Sequence, residues 1–185
     1  MSFRQAAVLA PISFFLGVLF ICFNVDHRIL FVQKTEEAIQ DGFQFYTTFF
    51  NAPPAIKALL HALVGVGVIG LLSKLHKWDD SAMFFDGSSL AAYVFSIAVY
   101  LTVTIPTLRT IVTPVPNVDT FEDRVEALGV LSAGNVIIAL CFGGILALQA
   151  GQEYALRNVA AELAKIKDAE KQRASQAIDG DKKDQ

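Results

Sequence analysis

LGVLSAGNVIIALCFGGILALQA, residues 128–150, decides the fold class, because its 23 residues carry no charged side chain. A helix of about 20 apolar residues crosses the ~30 Å hydrocarbon core of a bilayer. Three similar runs precede it, at residues 6–25, 55–72 and 88–105. The sequence therefore predicts an all-α, polytopic membrane protein with four transmembrane helices.

The composition of the 185-residue chain supports this prediction and excludes several other classes. Apolar residues make up 54% and charged residues only 18%, whereas about a quarter of the residues in a soluble domain are charged. The net charge of −3 comes without a basic stripe, which argues against nucleic-acid binding. Residues 153–185 hold 7 of the 15 Lys and Arg residues. We expect a membrane domain at residues 1–152 and a charged tail at 153–185, helical at first and disordered from about Ala174.

The Lys and Arg residues of the termini and of the connections between the spans predict the orientation. Ten of them fall on the side that holds both termini, and five fall on the other. The positive side of a membrane protein normally faces the cytosol. Both termini are therefore predicted to be cytosolic, and the long connections at residues 26–54 and 106–127 to face the lumen or exterior.

The first long connection contains a helical pattern. Thr35 precedes two glutamates and fits a helix N-cap. Ile39, Phe43, Tyr46 and Phe50 follow at spacings of 4, 3 and 4, which places them on one helical face. We interpret this segment as a helix lying on the membrane surface, with a partner-binding helix as the alternative.

Local signals also predict where the later helices begin and end. Asp86-Gly87 is typical of a turn before the third span. Pro106 is expected to open an extended or turned connection. Asp119 and Glu122 have the spacing of a capping box, so the fourth helix is expected to begin near them.

The GVGVIG stretch at residues 65–70 matches the dinucleotide-binding pattern G-x-G-x-x-G. It lies in the middle of a span, with no soluble strand before it and no helix N-terminus to hold a pyrophosphate. We interpret its glycines as positions of close helix approach.

A row of small residues follows one ridge of the fourth span, with Asn135 before it on the same ridge. The row consists of Ala139, Gly143, Ala147 and Gly151. Asn135 is expected to face another helix, because an amide in lipid needs a partner. The row either packs within the bundle or offers a surface to another membrane protein.

Catalytic and metal-binding patterns are missing from the sequence. G-x-S-x-G, H-E-x-x-H and C-x-x-C do not occur, and two cysteines with three distant histidines do not make a zinc site. We expect no carboxylate inside the membrane; Lys57 and His61, near a span end, are interpreted as interface residues. The prediction is a protein that is not an enzyme and binds no cofactor.

Lys182 and Lys183 are the fourth and third residues from the carboxyl end. This placement resembles the dilysine signal that the retrograde vesicle coat reads in the cytosol. A chance pair in a lysine-rich tail is the alternative. Such signals are addresses read by a receptor.

Four segments, in this order and spacing, resemble one known family. They are residues 15–20 (FLGVLF), 63–72 (LVGVGVIGLL), 85–90 (FDGSSL) and 130–149, which includes SAGNVII. The chain resembles the fungal packaging chaperones for amino-acid permeases of the endoplasmic reticulum, the Shr-three family.

The resemblance implies a resident membrane chaperone of the endoplasmic reticulum. It would assist the folding of amino-acid permeases, prevent their aggregation and enable their packaging into export vesicles, with the tail linked to coat components. Alternatives are a small four-helix membrane enzyme and a non-chaperone subunit of a membrane complex. The candidate contacts to client helices or between helices are Gly65, Gly67, Gly70, Ser96, Tyr100, Asn135, Ala139 and Gly143.

Overall fold

The computed structural model describes residues 3–32, 34–75 and 80–181. These residues form six α-helices and a π-helical segment. In chain order they are α1 (Phe3–Leu30), α2 (Glu36–Phe50), α3 (Pro54–Leu75), α4 (Asp80–Val99), the π-helix (Tyr100–Thr104), α5 (Ile105–Val112) and α6 (Phe121–Asp181).

Four helical segments are long and apolar enough to cross a membrane, and each contains one of the predicted apolar runs. They are Phe3–Leu30, Pro54–Leu75, Met83–Val112 and Phe121–Glu170. The all-α fold class with four candidate spans is thereby confirmed.

Helix α6 lies at the centre of the packing. It contacts α1, α4 and α5, while α1 and α4 also contact α3. The Cα atoms of α3 and α6 do not approach within 8 Å over the described residues, so these two helices lie across the bundle from each other. One apolar core, which includes Leu71, Tyr93 and Phe142, joins α1, α3, α4 and α6. A second core, which includes Phe43 and Leu128, lies under α2.

Helix α2 begins as predicted, because the Thr35 hydroxyl accepts a hydrogen bond from the backbone N–H of Ala38 at 3.2 Å. Its apolar face does not lie free on a membrane surface. Phe43 and Tyr46 are buried, and the helix packs on α1, α5 and α6. The apolar face of α2 therefore closes one end of the protein's own bundle, and its buried residues Phe43 and Tyr46 contact neither a membrane surface nor a partner.

Pro106 lies inside a helix, so the predicted break at this residue is wrong. A proline ring clashes with the preceding turn and cannot donate a backbone hydrogen bond. The wider π-helical turn at Tyr100–Thr104 ends two residues before Pro106 and accommodates the ring. The Thr107 hydroxyl donates to the carbonyl of Val103 at 2.7 Å. The third span therefore continues to Val112.

Other local predictions need correction as well. Asp86 and Gly87 lie within α4 and form no turn. Helix α6 does begin close to the predicted place, but its capping box is shifted by one residue. Thr120 and Asp123 each accept a hydrogen bond from the other's backbone N–H, at 3.1 and 2.8 Å.

The backbone of α6 remains helical to Asp181. The helix thus extends beyond Ala174, the residue from which the sequence predicts disorder. The side chains from Leu156 to Glu170 are exposed, and Arg157 forms the predicted ion pair with Glu153 at 3.0 Å.

Candidate functional site

A buried carboxylate joins α1, α2 and α6 at one end of the bundle. Asp26 is 1% exposed and accepts hydrogen bonds from Ser132 at 2.8 Å, from Asn135 at 3.0 Å and from the Tyr46 hydroxyl. Asn135 also donates to the Tyr46 oxygen at 2.9 Å. We call these four residues the Asp26 cluster. The expectation that Asn135 faces another helix is confirmed.

No cation forms a salt bridge with Asp26 within the described ranges. The three donors take the place of the water that a charged carboxylate would otherwise need. Burial, together with the negative charge of Asp26, raises the pKa of the Tyr46 hydroxyl. Tyr46 therefore stays protonated and keeps donating to the carboxylate.

A second buried carboxylate joins α3, α4 and α6 at the other end. Asp86 forms an ion pair with Lys74 at 2.8 Å and accepts from Gln149 at 3.1 Å and from Gln152 at 2.8 Å. The Lys74 ammonium donates to both glutamine oxygens, and Gln149 donates to Ser89 at 3.0 Å. We call these five residues the Asp86 cluster.

The sequence analysis did not single out either carboxylate. Asp26 is one residue beyond the predicted end of the first span, and Asp86 is two residues before the predicted start of the third. Both lie within helices that are long and apolar enough to cross a membrane, each near the end of its helix. A usable signal was the pairing of polar residues at i,i+3 in the fourth span. Ser132 with Asn135, and Gln149 with Gln152, each needed a partner.

The two glycines Gly67 and Gly70 are places of close helix approach. A Cβ atom at Gly67 would lie 2.2 Å from the Tyr93 hydroxyl oxygen, and one at Gly70 would lie 3.0 Å from the backbone of Ala7. Both are buried. They let α3 pack closely against α4 and α1.

Ser96 and Tyr100 are two further candidate contacts from the sequence analysis. Ser96 is buried and donates to the Ala92 carbonyl at 2.9 Å. Tyr100 lies 3.3 Å from His61, measured from its hydroxyl to Nε2.

The remaining positions face outward to different degrees. Gly65 and Gly143 have open space where a Cβ would be. Gly143 is exposed, whereas Gly65 and Ala139 are half-buried. Lys182 and Lys183 lie outside the described residues.

Large apolar side chains cover much of the outer surface. Phe20 is 72% exposed, Ile69 68% and Leu140 70%. In water such a surface would aggregate. In a bilayer it is the expected outer face of the spans.

A family model called SHR3_chaperone, described as ER membrane protein SH3, matches residues 1–185. The chain belongs to this family. Membership identifies this Shr-three family protein as a membrane chaperone of the endoplasmic reticulum, which implies that its clients are other membrane proteins. No curated protein and no solved structure matches the chain.

For a Shr-three chaperone, the geometry separates two kinds of position. The two buried clusters and Gly67 and Gly70 hold the bundle together, while Gly143 is available to another helix.

Proposed function

We propose that this protein assists the folding of amino-acid permeases, prevents their aggregation in the endoplasmic reticulum and enables their packaging into export vesicles. The match of the chaperone family to the whole chain carries this proposal. The protein acts by binding and does not act as an enzyme. Both termini face the cytosol, where the tail meets coat components and the terminal lysine pair acts as a retrieval signal.

The outer face of α6 is the proposed client contact. Gly143 and Gly144 are exposed and have open space above them, with the half-buried Ala139 one turn before. Small residues allow a client backbone to approach closely, and contacts between membrane helices contribute roughly 0.6–2 kcal/mol each. Contacts of this strength suit transient binding of partly folded permeases.

The test is deletion of the gene in its native host. Several amino-acid permeases and several unrelated multi-span cargo proteins are then located in the same cells. We expect only the permeases to remain in the endoplasmic reticulum and to aggregate. Normal export of the permeases would overturn the proposal.

Two matched variants test the proposed contact in the deletion strain. Gly143→Leu changes the outer face of α6, and Gly17→Leu changes an equally open position on α1. Both proteins should reach wild-type abundance, but only Gly143→Leu should reduce permease export. Equal export with both variants would exclude this face as the client contact.

A further inference from the structure

A cavity of about 180 Å³ lies inside the bundle. Its walls are mostly apolar and come from all six α-helices and the π-helix, with Phe15, Val64, Ile97, Ile138 and Phe142 among the lining residues. An apolar cavity of about 150 Å³ holds benzene. The space therefore fits a hydrocarbon chain end, whereas a whole helix, about 10 Å across, does not fit.

A larger vestibule of about 750 Å³ adjoins the cavity, with walls from α1, α2, α3 and α5. Phe49, Leu60, His61 and Tyr100 line both spaces. The two spaces therefore share a wall of side chains, across which a single ligand would extend.

Charge is found only at the outer part of this path. Lys57 and the Arg28–Asp41 ion pair line the vestibule. Lys57 lies in the first turn of α3, and its ammonium is 5.2 Å from the centre of the Phe50 ring. The beginning of a membrane-spanning helix is the depth at which lipid headgroups lie.

Thr104 also lines the cavity. Its Oγ1 is buried without a hydrogen-bond partner in the described parts of the chain and lies near Gly134 of α6. The His61–Tyr100 contact joins α3 to the third span. Lys57 is one turn before His61 and Thr104 one turn after Tyr100, so Lys57 and Thr104 lie at similar depth.

We propose that this path binds one phospholipid. The phosphate lies at Lys57, and one acyl chain fills the cavity. A cation at the outer end of the path and an apolar wall at its inner end match the headgroup and the acyl chain of a phospholipid. The inference goes beyond permease chaperoning and is tested without any permease.

The first experiment uses purified full-length protein in phosphatidylcholine vesicles that contain a phosphatidic acid with a diazirine near one chain end. After illumination, cross-linked peptides are mapped. We expect adducts on cavity residues such as Ile97 and Ile138. Adducts confined to outward-facing residues would overturn the proposal.

Cavity-filling variants test whether the cross-linked lipid chain occupies the cavity. Ser96→Phe should reduce the cavity adducts at least tenfold, while Ala10→Phe, at an exposed position of α1, should leave them unchanged. Val18→Trp fills the cavity from another wall and replaces Ser96→Phe if that variant is not monodisperse. Unchanged cavity adducts in a folded filling variant would contradict the proposal.

The headgroup contact has its own test. Lys57→Gln should weaken the labelling of cavity residues by phosphatidic acid about fivefold, and Arg109→Gln, an exposed cation on α5, should not. Equal labelling in the two variants would remove Lys57 from the site.

A photoreactive residue at position 138, in native membranes, distinguishes the occupants. An adduct of lipid mass supports the proposal. A protein-sized adduct, or no adduct, would overturn it.

Discussion

Asp26 is energetically unfavourable to bury, yet its hydrogen bonds join three helices. A lone carboxylate in an apolar interior is strongly unfavourable, yet this one has three side-chain donors. The donors come from α2 and α6, so the carboxylate is satisfied only when those helices are in place. The Asp26 cluster thus makes correct packing a condition for burying this side chain with its hydrogen bonds formed.

Asp26→Ala should lower the stability of the purified protein by about 3 kcal/mol, because the donors of the cluster are left buried without an acceptor. Asp41→Ala is the control. Asp41 pairs with Arg28 on the surface, with 47% of its side chain exposed, and its removal should cost at most about 1 kcal/mol. Thermal unfolding in detergent measures both. Equal losses would show that the cluster adds no stability.

Gly67→Leu should reduce the abundance of the protein itself, because the new side chain would overlap the Tyr93 ring. Gly65→Leu, two residues earlier, points into open space and should leave abundance unchanged. Immunoblots of membranes from matched strains compare them. A normally abundant Gly67→Leu protein would contradict the packing described for α3 and α4.

At the scale of elements, the sequence predicts regular segments better than their ends. The Thr35 cap and the apolar runs are local signals, and the structure contains both. Pro106 and the Asp86-Gly87 pair failed as local signals, because a π-helical turn and a buried ion pair outweighed them. These solutions depend on neighbouring helices, which a local pattern does not contain.

The candidate site, too, was predictable from the sequence only where a local signal existed. Asn135 could be assigned to a helix interface because an amide in lipid needs a partner. Its partners, Asp26 and Tyr46, are 109 and 89 residues away, and no spacing rule connects such positions. The cavity and vestibule arise from helix packing and were not predicted.

The Asp86 cluster should behave as one unit that joins three helices. Lys74→Ala and Asp86→Ala should each destabilise the protein, and the double variant should lose less than the two single losses added together. The expected interaction energy is about 1–3 kcal/mol. A double-mutant cycle by thermal unfolding in detergent measures it. Additive losses would mean that the two residues act independently.

For the whole molecule, Gln152 marks a boundary, because it is the last buried residue among the α6 side chains that the structure describes. Gln152 belongs to the Asp86 cluster and is 8% exposed, whereas the described side chains from Leu156 to Glu170 face outward. Stability should therefore come from the part of the chain that ends near Gln152.

Removal of residues 156–185 should leave the unfolding temperature of the membrane domain unchanged in detergent. Removal from position 149 onward should lower it clearly, because Gln149 and Gln152 are then lost from the Asp86 cluster. A large loss with the shorter deletion would show that the tail helix packs on the bundle.

The sequence separation between Asp26 and its partners on α6 also determines the time that passes between their synthesis. Ser132 and Asn135 are made 106 and 109 residues after Asp26, which takes about 5–20 seconds at ordinary rates of synthesis. During most of this interval Tyr46 is already present, but the partners of the carboxylate on α6 do not yet exist. The nascent chaperone thus passes through the same incomplete state from which membrane chaperones protect their clients.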